Sequence, residues 1–247
     1  MRFFYTLPTM LVLCLISGLA HAASQTVLIT GANRGLGLEY AQQFSERGYT
    51  VIGTARNPEA ATELARVADR VEQLDVADPA SVAALAERLD GVPIDILINN
   101  AGMFDRNDVT IDAVDFGTME QTFAVNTFGP LRVTQALLPN LRAGKARLII
   151  SMSSQLGSIE NSNGRWYAYR ASKTALNQFN KIWSVELASD GFTCVVLHPG
   201  WVRTDMGGPN ASYSPEESVA GLVNVIEALT PEDNGGFYDF QGNPIPW

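Results

Sequence analysis

The sequence predicts an α/β fold, a single doubly wound parallel sheet of about seven strands with helices on both faces. Two observations support this prediction. Short apolar runs alternate with longer helical patterns along the whole chain, which is typical of successive βαβ units. The first run, residues 26–30, enters a turn that contains Gly31, Gly35 and Gly37, and a helical pattern closed by Gly48 follows at once. Strand, glycine turn and helix in this order open a Rossmann-type unit.

The glycine turn has a specific physical use. A glycine adopts positive φ without strain, and its missing Cβ lets backbone N–H groups approach a phosphate closely. The helix that begins at the turn directs its partly positive N-terminus towards the same anion. The turn therefore predicts a site for the pyrophosphate of a dinucleotide, and its bland alternative is an ordinary glycine-rich connection between a strand and a helix.

The totals of the chain limit its architecture and its partners. Its 247 residues suit one large domain, which we place at residues 23–247. A net charge of −9 argues against nucleic acid as the main partner. The chain has two cysteines, Cys14 before the predicted domain and Cys194 in an apolar run within it. The folded part therefore has no internal disulfide. A metal centre is not expected either, since His198 is the one histidine within residues 23–247.

Residues 1–22 have the layout of a secretory signal peptide. Arg2 precedes an apolar stretch, and Ala20-His21-Ala22 forms a small-residue cleavage site. The sequence therefore predicts cleavage and export to the periplasm or beyond, without stable membrane insertion of the mature protein. The alternatives are a retained membrane anchor, which the short apolar stretch disfavours, and a cytoplasmic protein.

The remaining elements follow from apolar runs, caps and breakers. Asp78 and Pro79 mark the start of one helix, because aspartate is favoured at the N-cap and proline at the first helical position. We predict further strands at residues 50–54, 71–74, 94–98, 146–151, 193–198 and 236–240, and helices at residues 36–47, 58–69, 78–89, 118–142, 165–189 and 215–229.

Two arginines indicate the kind of dinucleotide. The second strand ends in Ala55 and Arg56, where an NAD-binding unit carries an acidic residue for the ribose hydroxyls. Arg34 lies in the glycine turn, so two guanidiniums would flank the adenosine ribose. This pattern favours NADP(H), with NAD(H) as the second choice. The alternative is that both arginines are solvated loop residues.

Five patterns along the chain are found in one family in this order. They are T-G-x-x-x-G-x-G at residues 30–37, N-N-A-G at residues 99–102, Asn126, Ser154 followed by Tyr169-x-x-x-Lys173, and P-G-x-V-x-T at residues 199–204. Together they make the chain resemble the short-chain dehydrogenase/reductase family, in particular the branch of C-factor and sniffer-type carbonyl reductases.

The resemblance implies a catalytic set and a cofactor site. Tyr169 would be the general acid or base, Lys173 would lower its pKa, Ser154 would bind the substrate oxygen, and Asn126 would position a water at a helix kink. Alternatively, Asn126 is a structural residue whose buried amide forms hydrogen bonds with the backbone. The predicted cofactor-binding residues are Gly31, Asn33, Arg34, Gly35, Leu36, Gly37, Arg56, Asp75, Val76, Asn99, Ala101, Gly102, Tyr169, Lys173, Pro199, Gly200, Val202 and Thr204.

The function implied is an NADP(H)-dependent oxidoreductase that reduces a carbonyl compound to an alcohol or catalyses the reverse reaction. Its partner would be a small carbonyl or alcohol substrate. A different class of function remains open, a C-factor-like signalling or regulatory protein that binds the cofactor and whose turnover is incidental. The resemblance also suggests a homodimer or homotetramer.

Overall fold

The structure, a computed structural model, describes Met1 and residues 24–247. Apart from Met1, the predicted leader therefore lies outside the described residues. The seven strands are β1 Thr26–Ile29, β2 Thr50–Ala55, β3 Arg70–Gln73, β4 Ile96–Asn99, β5 Leu148–Met152, β6 Thr193–His198 and β7 Phe237–Asp239. They form one sheet in the order β3-β2-β1-β4-β5-β6-β7, and every neighbouring pair is parallel. The predicted doubly wound sheet is confirmed.

Helices cover both faces of this sheet. They are α1 Gly35–Glu46, α2 Pro79–Arg88, α3 Phe116–Phe123, α4 Gly129–Ala136, α5 Leu138–Ala143, α6 Tyr167–Glu186 and α7 Pro215–Ala228. Successive side chains of β1 point to opposite faces of the sheet and pack against the helices on each side. Val27 and Ile29 pack into the cluster that includes α1 and α7, whereas Leu28 packs into the cluster on the opposite face. No helix within residues 24–247 has both the length and the apolar character needed to cross a membrane.

The strand order sets the position of the cleft. The chain moves outwards from β1 to β3, returns to β4 beside β1, and then moves outwards in the other direction to β7. In doubly wound sheets, ligands bind beyond the carboxyl ends of the strands at this reversal. The glycine turn after β1 and the N-N-A-G segment after β4 both lie there.

The helix predicted at residues 58–69 is wrong. The segment forms two single 3₁₀ turns, Pro58–Ala60 and Leu64–Arg66. Between them Ala61 has φ −88° and ψ 51°, outside the helical region. Ala61 and Leu64 are its only fully buried apolar anchors, so no continuous apolar stripe supports a helix.

The single helix predicted at residues 118–142 is also wrong. The chain forms α3, a π-helical turn at Ala124–Phe128, α4 and then α5. Prolines explain the breaks, because a proline offers no N–H and its ring crowds the carbonyl four residues earlier. Pro130 follows the π turn and Pro139 lies at the start of α5. The break around Asn126 agrees with the helix kink predicted there.

Candidate active site

A cleft of about 1510 Å³ opens at the reversal of strand order. Most of the predicted site residues line it: Gly31, Asn33, Arg34, Gly35, Leu36, Gly37, Arg56, Asp75, Val76, Ala101, Gly102, Tyr169, Lys173, Pro199 and Thr204. These residues come from six separate segments of the chain, so the sheet topology brings the sequence patterns together.

The glycine turn is built so that backbone forms one wall of the cleft. Gly31 and Gly35 have φ of +64° and +55°, which L side chains rarely adopt. At Gly37 a Cβ would lie 2.3 Å from the Gly31 carbonyl oxygen and 2.6 Å from Asn100 Nδ2. Arg34 is the N-cap of α1 but makes no side-chain cap, and the first turn holds no acidic residue. The N-terminal N–H groups therefore suit an anion supplied from the cleft.

Two cationic side chains stand at the outer end of this wall. Arg34 and Arg56 both line the cleft and are exposed. The Arg34 guanidinium forms an ion pair with the carboxylate of Asp205, which belongs to the segment after β6. Side-chain exposures of 66% and 80% place this pair in solvent, where ion pairs are weak. Arg34 therefore faces a competing anion already supplied by the chain.

The reacting groups lie on the inner wall. Tyr169 and Lys173 occupy one face of α6 at i and i+4, and both are almost fully buried. The Ser154 hydroxyl lies near enough to the Tyr169 hydroxyl to lower its pKa, and it accepts from the N–H of Leu156 at 3.1 Å. Lys173 Nζ donates to the Met152 carbonyl at 2.8 Å and lies 5.8 Å from the centre of the Tyr169 ring.

Burial sets the protonation of this pair. It raises the pKa of Tyr169 to about 12, against a smaller lowering by the hydrogen bond with Ser154. Burial also lowers the pKa of Lys173 to about 8. The pKa of Tyr169 thus lies above its ordinary value, because removal from water disfavours the phenolate. The phenol is protonated throughout the neutral range.

The structure separates the reacting residues from their sequence neighbours. Of the two serines, Ser153 lines the cleft and Ser154 lies just behind the lining, but the Ser153 hydroxyl donates to Asn177 Oδ1 at 2.6 Å, between β5 and α6. Tyr167 is 37% exposed. Ser154 and Tyr169 therefore remain the pair with adjoining hydroxyls.

Asn126 lies in the π turn, and protein groups use both hydrogens of its side-chain amide and one of the two acceptor positions of its Oδ1. Its Nδ2 donates to the Met103 carbonyl at 2.9 Å and to Ser172 Oγ at 3.1 Å, and its Oδ1 accepts from the Met103 N–H at 2.8 Å. The main-chain carbonyl of Asn126 differs, because the residue four positions later is Pro130, which has no N–H to donate.

Three predicted cofactor residues do not line the cleft. The Asn99 side chain donates to Thr134 Oγ1 at 3.1 Å inside the protein. Val202 is buried and pairs with Tyr213 in an isolated bridge, while Gly200, with φ of +80°, packs close to Tyr213 and Phe240. Their part is to shape the segment that brings Thr204 within contact distance of the glycine turn at Gly35.

Sequence reasoning missed three contributors. Asn100 donates to the carbonyls of Thr30 and Gly31 at 2.9 and 3.1 Å, so it fixes the glycine turn. The Phe104 ring stacks on the Tyr169 ring at 4.2 Å between centroids. Arg106 donates to the Met206 carbonyl across the cleft mouth. The available signal was an aromatic residue two positions after N-N-A-G.

Comparison with known proteins agrees with this geometry. The family model described as short chain dehydrogenase matches residues 25–213, which include every cleft segment named above. C-signal of Myxococcus xanthus is 48% identical over 156 residues, 63% of this chain and 93% of that protein. The crystal structure of NADPH-bound carbonyl reductase from chicken fatty liver is 36% identical with a TM-score of 0.83, covering 91% of this chain and 99% of that one. For carbonyl reductase Sniffer of D. melanogaster the values are 35% and 0.85, covering 91% and 100%.

Proposed function

The chain belongs to the short chain dehydrogenase family of oxidoreductases, and from this premise we propose that it is an NADP(H)-dependent carbonyl reductase. It would reduce an aldehyde or ketone to an alcohol and catalyse the reverse oxidation. The observation that carries the proposal is the Tyr169 hydroxyl on the inner wall of a dinucleotide-sized cleft, with Ser154 near it and Lys173 beside its ring.

The cleft fits the proposed cofactor. The glycine turn leaves room for a pyrophosphate against backbone that a Cβ would fill, and α1 directs its uncapped N-terminus there. Arg34 and Arg56 would hold the 2′-phosphate that distinguishes NADP(H) from NAD(H). The NADPH bound to the similar chicken protein supports this choice. The nicotinamide supplies hydride chemistry when bound.

The chain itself handles the proton. Reduction of a carbonyl places charge on its oxygen, and Ser154 would donate a hydrogen bond to that oxygen. Tyr169, protonated at neutral pH, would transfer its proton to the same oxygen. The transfer leaves a phenolate, which the Lys173 ammonium would stabilise by Coulomb attraction.

A replacement proton must then reach Tyr169. Because both Asn126 amide hydrogens bind Met103 and Ser172 and its Oδ1 already accepts from Met103, we assign the water-holding role to the Asn126 main-chain carbonyl, for which Pro130, four residues later, has no N–H to donate. The predicted role of Asn126, positioning a water, is thus assigned to its backbone.

The test is turnover by purified protein with NADPH and a panel of aldehydes and ketones. Tyr169→Phe removes one hydroxyl and should keep the fold and NADPH affinity while activity falls by about 10²-fold or more. Tyr167→Phe is the matched control and should be mild, since that side chain is partly exposed. Near-normal turnover by Tyr169→Phe would refute the mechanism. Absence of turnover in the unmodified protein across the panel would favour the regulatory alternative.

We also propose that residues 1–22 are removed and that the domain acts outside the cytoplasm, as the leader pattern indicates. Cell fractionation and sequencing of the mature N-terminus test this. A protein that still begins at Met1 in the cytoplasmic fraction would refute export and leave the reductase proposal intact.

A further inference from the structure

Asp108 is a buried acidic residue in the connection between β4 and α3, and no sequence pattern described above includes it. Its side chain is 3% exposed. Its Oδ2 accepts from the Ala168 N–H at 2.6 Å, and its main-chain carbonyl accepts from the N–H groups of Trp166 at 2.9 Å and Tyr167 at 3.4 Å. Three consecutive N–H groups at the start of α6 are therefore satisfied by one residue of another segment.

The start of α6 needs this external support. Trp166, its N-cap residue, has φ of +57° and ψ of +55° and forms no side-chain cap. Gly164 and Arg165, directly before it, also have positive φ, of +81° and +64°. Left-handed backbone is unfavourable at Arg165 and Trp166, and such conformations persist where surrounding contacts hold them. Asp108 supplies those contacts at the point where the left-handed entry becomes a helix.

The segment that carries Asp108 also contacts the reacting tyrosine. We call residues 103–108 the strap. One end is fixed where Met103 exchanges two hydrogen bonds with the Asn126 side chain. In the middle, Phe104 stacks on the Tyr169 ring at 4.2 Å and meets the edge of Trp166 at 5.5 Å. Asp108 fixes the other end.

We propose that Asp108 is a positioning residue for Tyr169: it holds the first turn of α6 so that the Tyr169 hydroxyl stays beside Ser154. This inference rests on the proposed function. Tyr169 directly follows Ala168, whose N–H the carboxylate accepts, so movement of the first turn moves the tyrosine. Lys173 lies one turn later and is held separately by the Met152 carbonyl, so its position does not depend on Asp108.

The test compares Asp108→Ala with Asp115→Ala. Asp115 is a matched control because it caps α3 through the Thr118 N–H at 2.7 Å, and α3 carries none of the residues assigned to proton transfer. Asp108→Ala should lower kcat by about 10- to 100-fold, the effect of a small misplacement of a reacting group, with KM and NADPH affinity within about twofold. Asp115→Ala should lower thermal stability and leave kcat unchanged.

Conservative variants and a double mutant make the test specific. Asp108→Asn keeps an acceptor oxygen for the Ala168 N–H and should restore kcat to within about threefold. On a Tyr169→Phe background, Asp108→Ala should have no further effect, because the hydroxyl it positions is gone. Additive effects would overturn the inference, as would a normal kcat in Asp108→Ala. If Asp108→Ala does not fold, Asp108→Ser replaces it, and equal kcat in the serine and asparagine variants would count against the proposal.

A readout without turnover separates this inference from the proposed function. In protein labelled with ¹³C at the tyrosine ring carbon that bears the hydroxyl, the Tyr169 signal is identified by its loss in Tyr169→Phe. Asp108→Ala should shift that signal and Asp115→Ala should leave it in place. If the unmodified protein reduces no carbonyl compound, the proposed function fails while this shift still supports positioning. If the Tyr169 signal does not shift in Asp108→Ala, the positioning role of Asp108 is overturned.

Discussion

Asp205 opposes the cofactor preference that Arg34 is expected to provide. Its carboxylate pairs with the Arg34 guanidinium at the mouth of the cleft, where a 2′-phosphate would also bind. Asp205→Asn removes the negative charge and keeps the size of the side chain. In this variant Arg34 no longer has to give up the Asp205 carboxylate before it can bind the 2′-phosphate. We therefore expect the variant to bind NADPH more tightly than the unmodified protein does.

The size of the effect follows from exposure. With side chains 66% and 80% exposed, the Arg34–Asp205 pair belongs to the surface class, which contributes about 0.2–1 kcal/mol. Its removal should therefore lower the Kd of NADPH by about 1.4- to 5-fold. NADH lacks the 2′-phosphate, so its Kd should not change. The gain should shrink at high salt, since the Debye length falls to about 3 Å at 1 M.

The assay is a fluorescence titration of each cofactor at low and high salt. Glu63→Gln is the control, because Glu63 forms a similarly exposed pair with Arg66 among residues that do not line the cleft. It should leave both affinities unchanged. Weaker NADPH binding by Asp205→Asn, or equal tightening of NADPH and NADH, would refute the competition between Asp205 and the phosphate.

Three further predictions follow from the same geometry. Replacing Arg34 and Arg56 with Ala should weaken NADPH binding by about 1–3 kcal/mol for each arginine and barely change NADH binding; equal affinity of the unmodified protein for both cofactors would contradict this. Reduction should slow as pH rises through about 8, because the lowered pKa of Lys173 means that its cation is present below that pH and lost above it; the pH profile of Lys173→Met should lack this decline. Pro130→Ala supplies an N–H to the Asn126 carbonyl and should lower kcat with unchanged NADPH affinity, which steady-state kinetics and titration would show.

The sheet was predictable because its strands are buried on both faces. Strands such as β4 and β6 are apolar almost throughout, and this pattern is readable without tertiary information. Helices were harder where local pattern and backbone chemistry disagree. The 118–142 segment reads as one long helix interrupted at Asn126, yet Pro130 and Pro139 divide it and one turn adopts π geometry. Residues 58–69 are helical by propensity, but two short 3₁₀ turns are enough to bury their two apolar contacts, Ala61 and Leu64.

The candidate site was predictable to the extent that its chemistry resides in residue type and spacing. Tyr169 and Lys173 share a face because they are four residues apart, whatever surrounds them. Contacts between distant segments were not predictable in this way. Asp108 meets the Ala168 N–H across 60 positions of sequence, and no local signal marks such an acceptor. The direction of the Tyr169 pKa shift likewise depends on burial, which spacing does not report.

That direction separates the two reactions by pH. Reduction consumes a proton, and burial keeps the Tyr169 phenol protonated up to a pKa of about 12, so the donor is available throughout the neutral range. Oxidation needs the phenolate first, and the same burial disfavours it. The alcohol-oxidising rate should therefore rise with pH well beyond neutrality, while reduction is limited by the charge of Lys173 and not by Tyr169. Burial of one phenol, beside a lysine that loses its charge near pH 8, thus favours reduction at neutral pH and gives each direction its own pH limit.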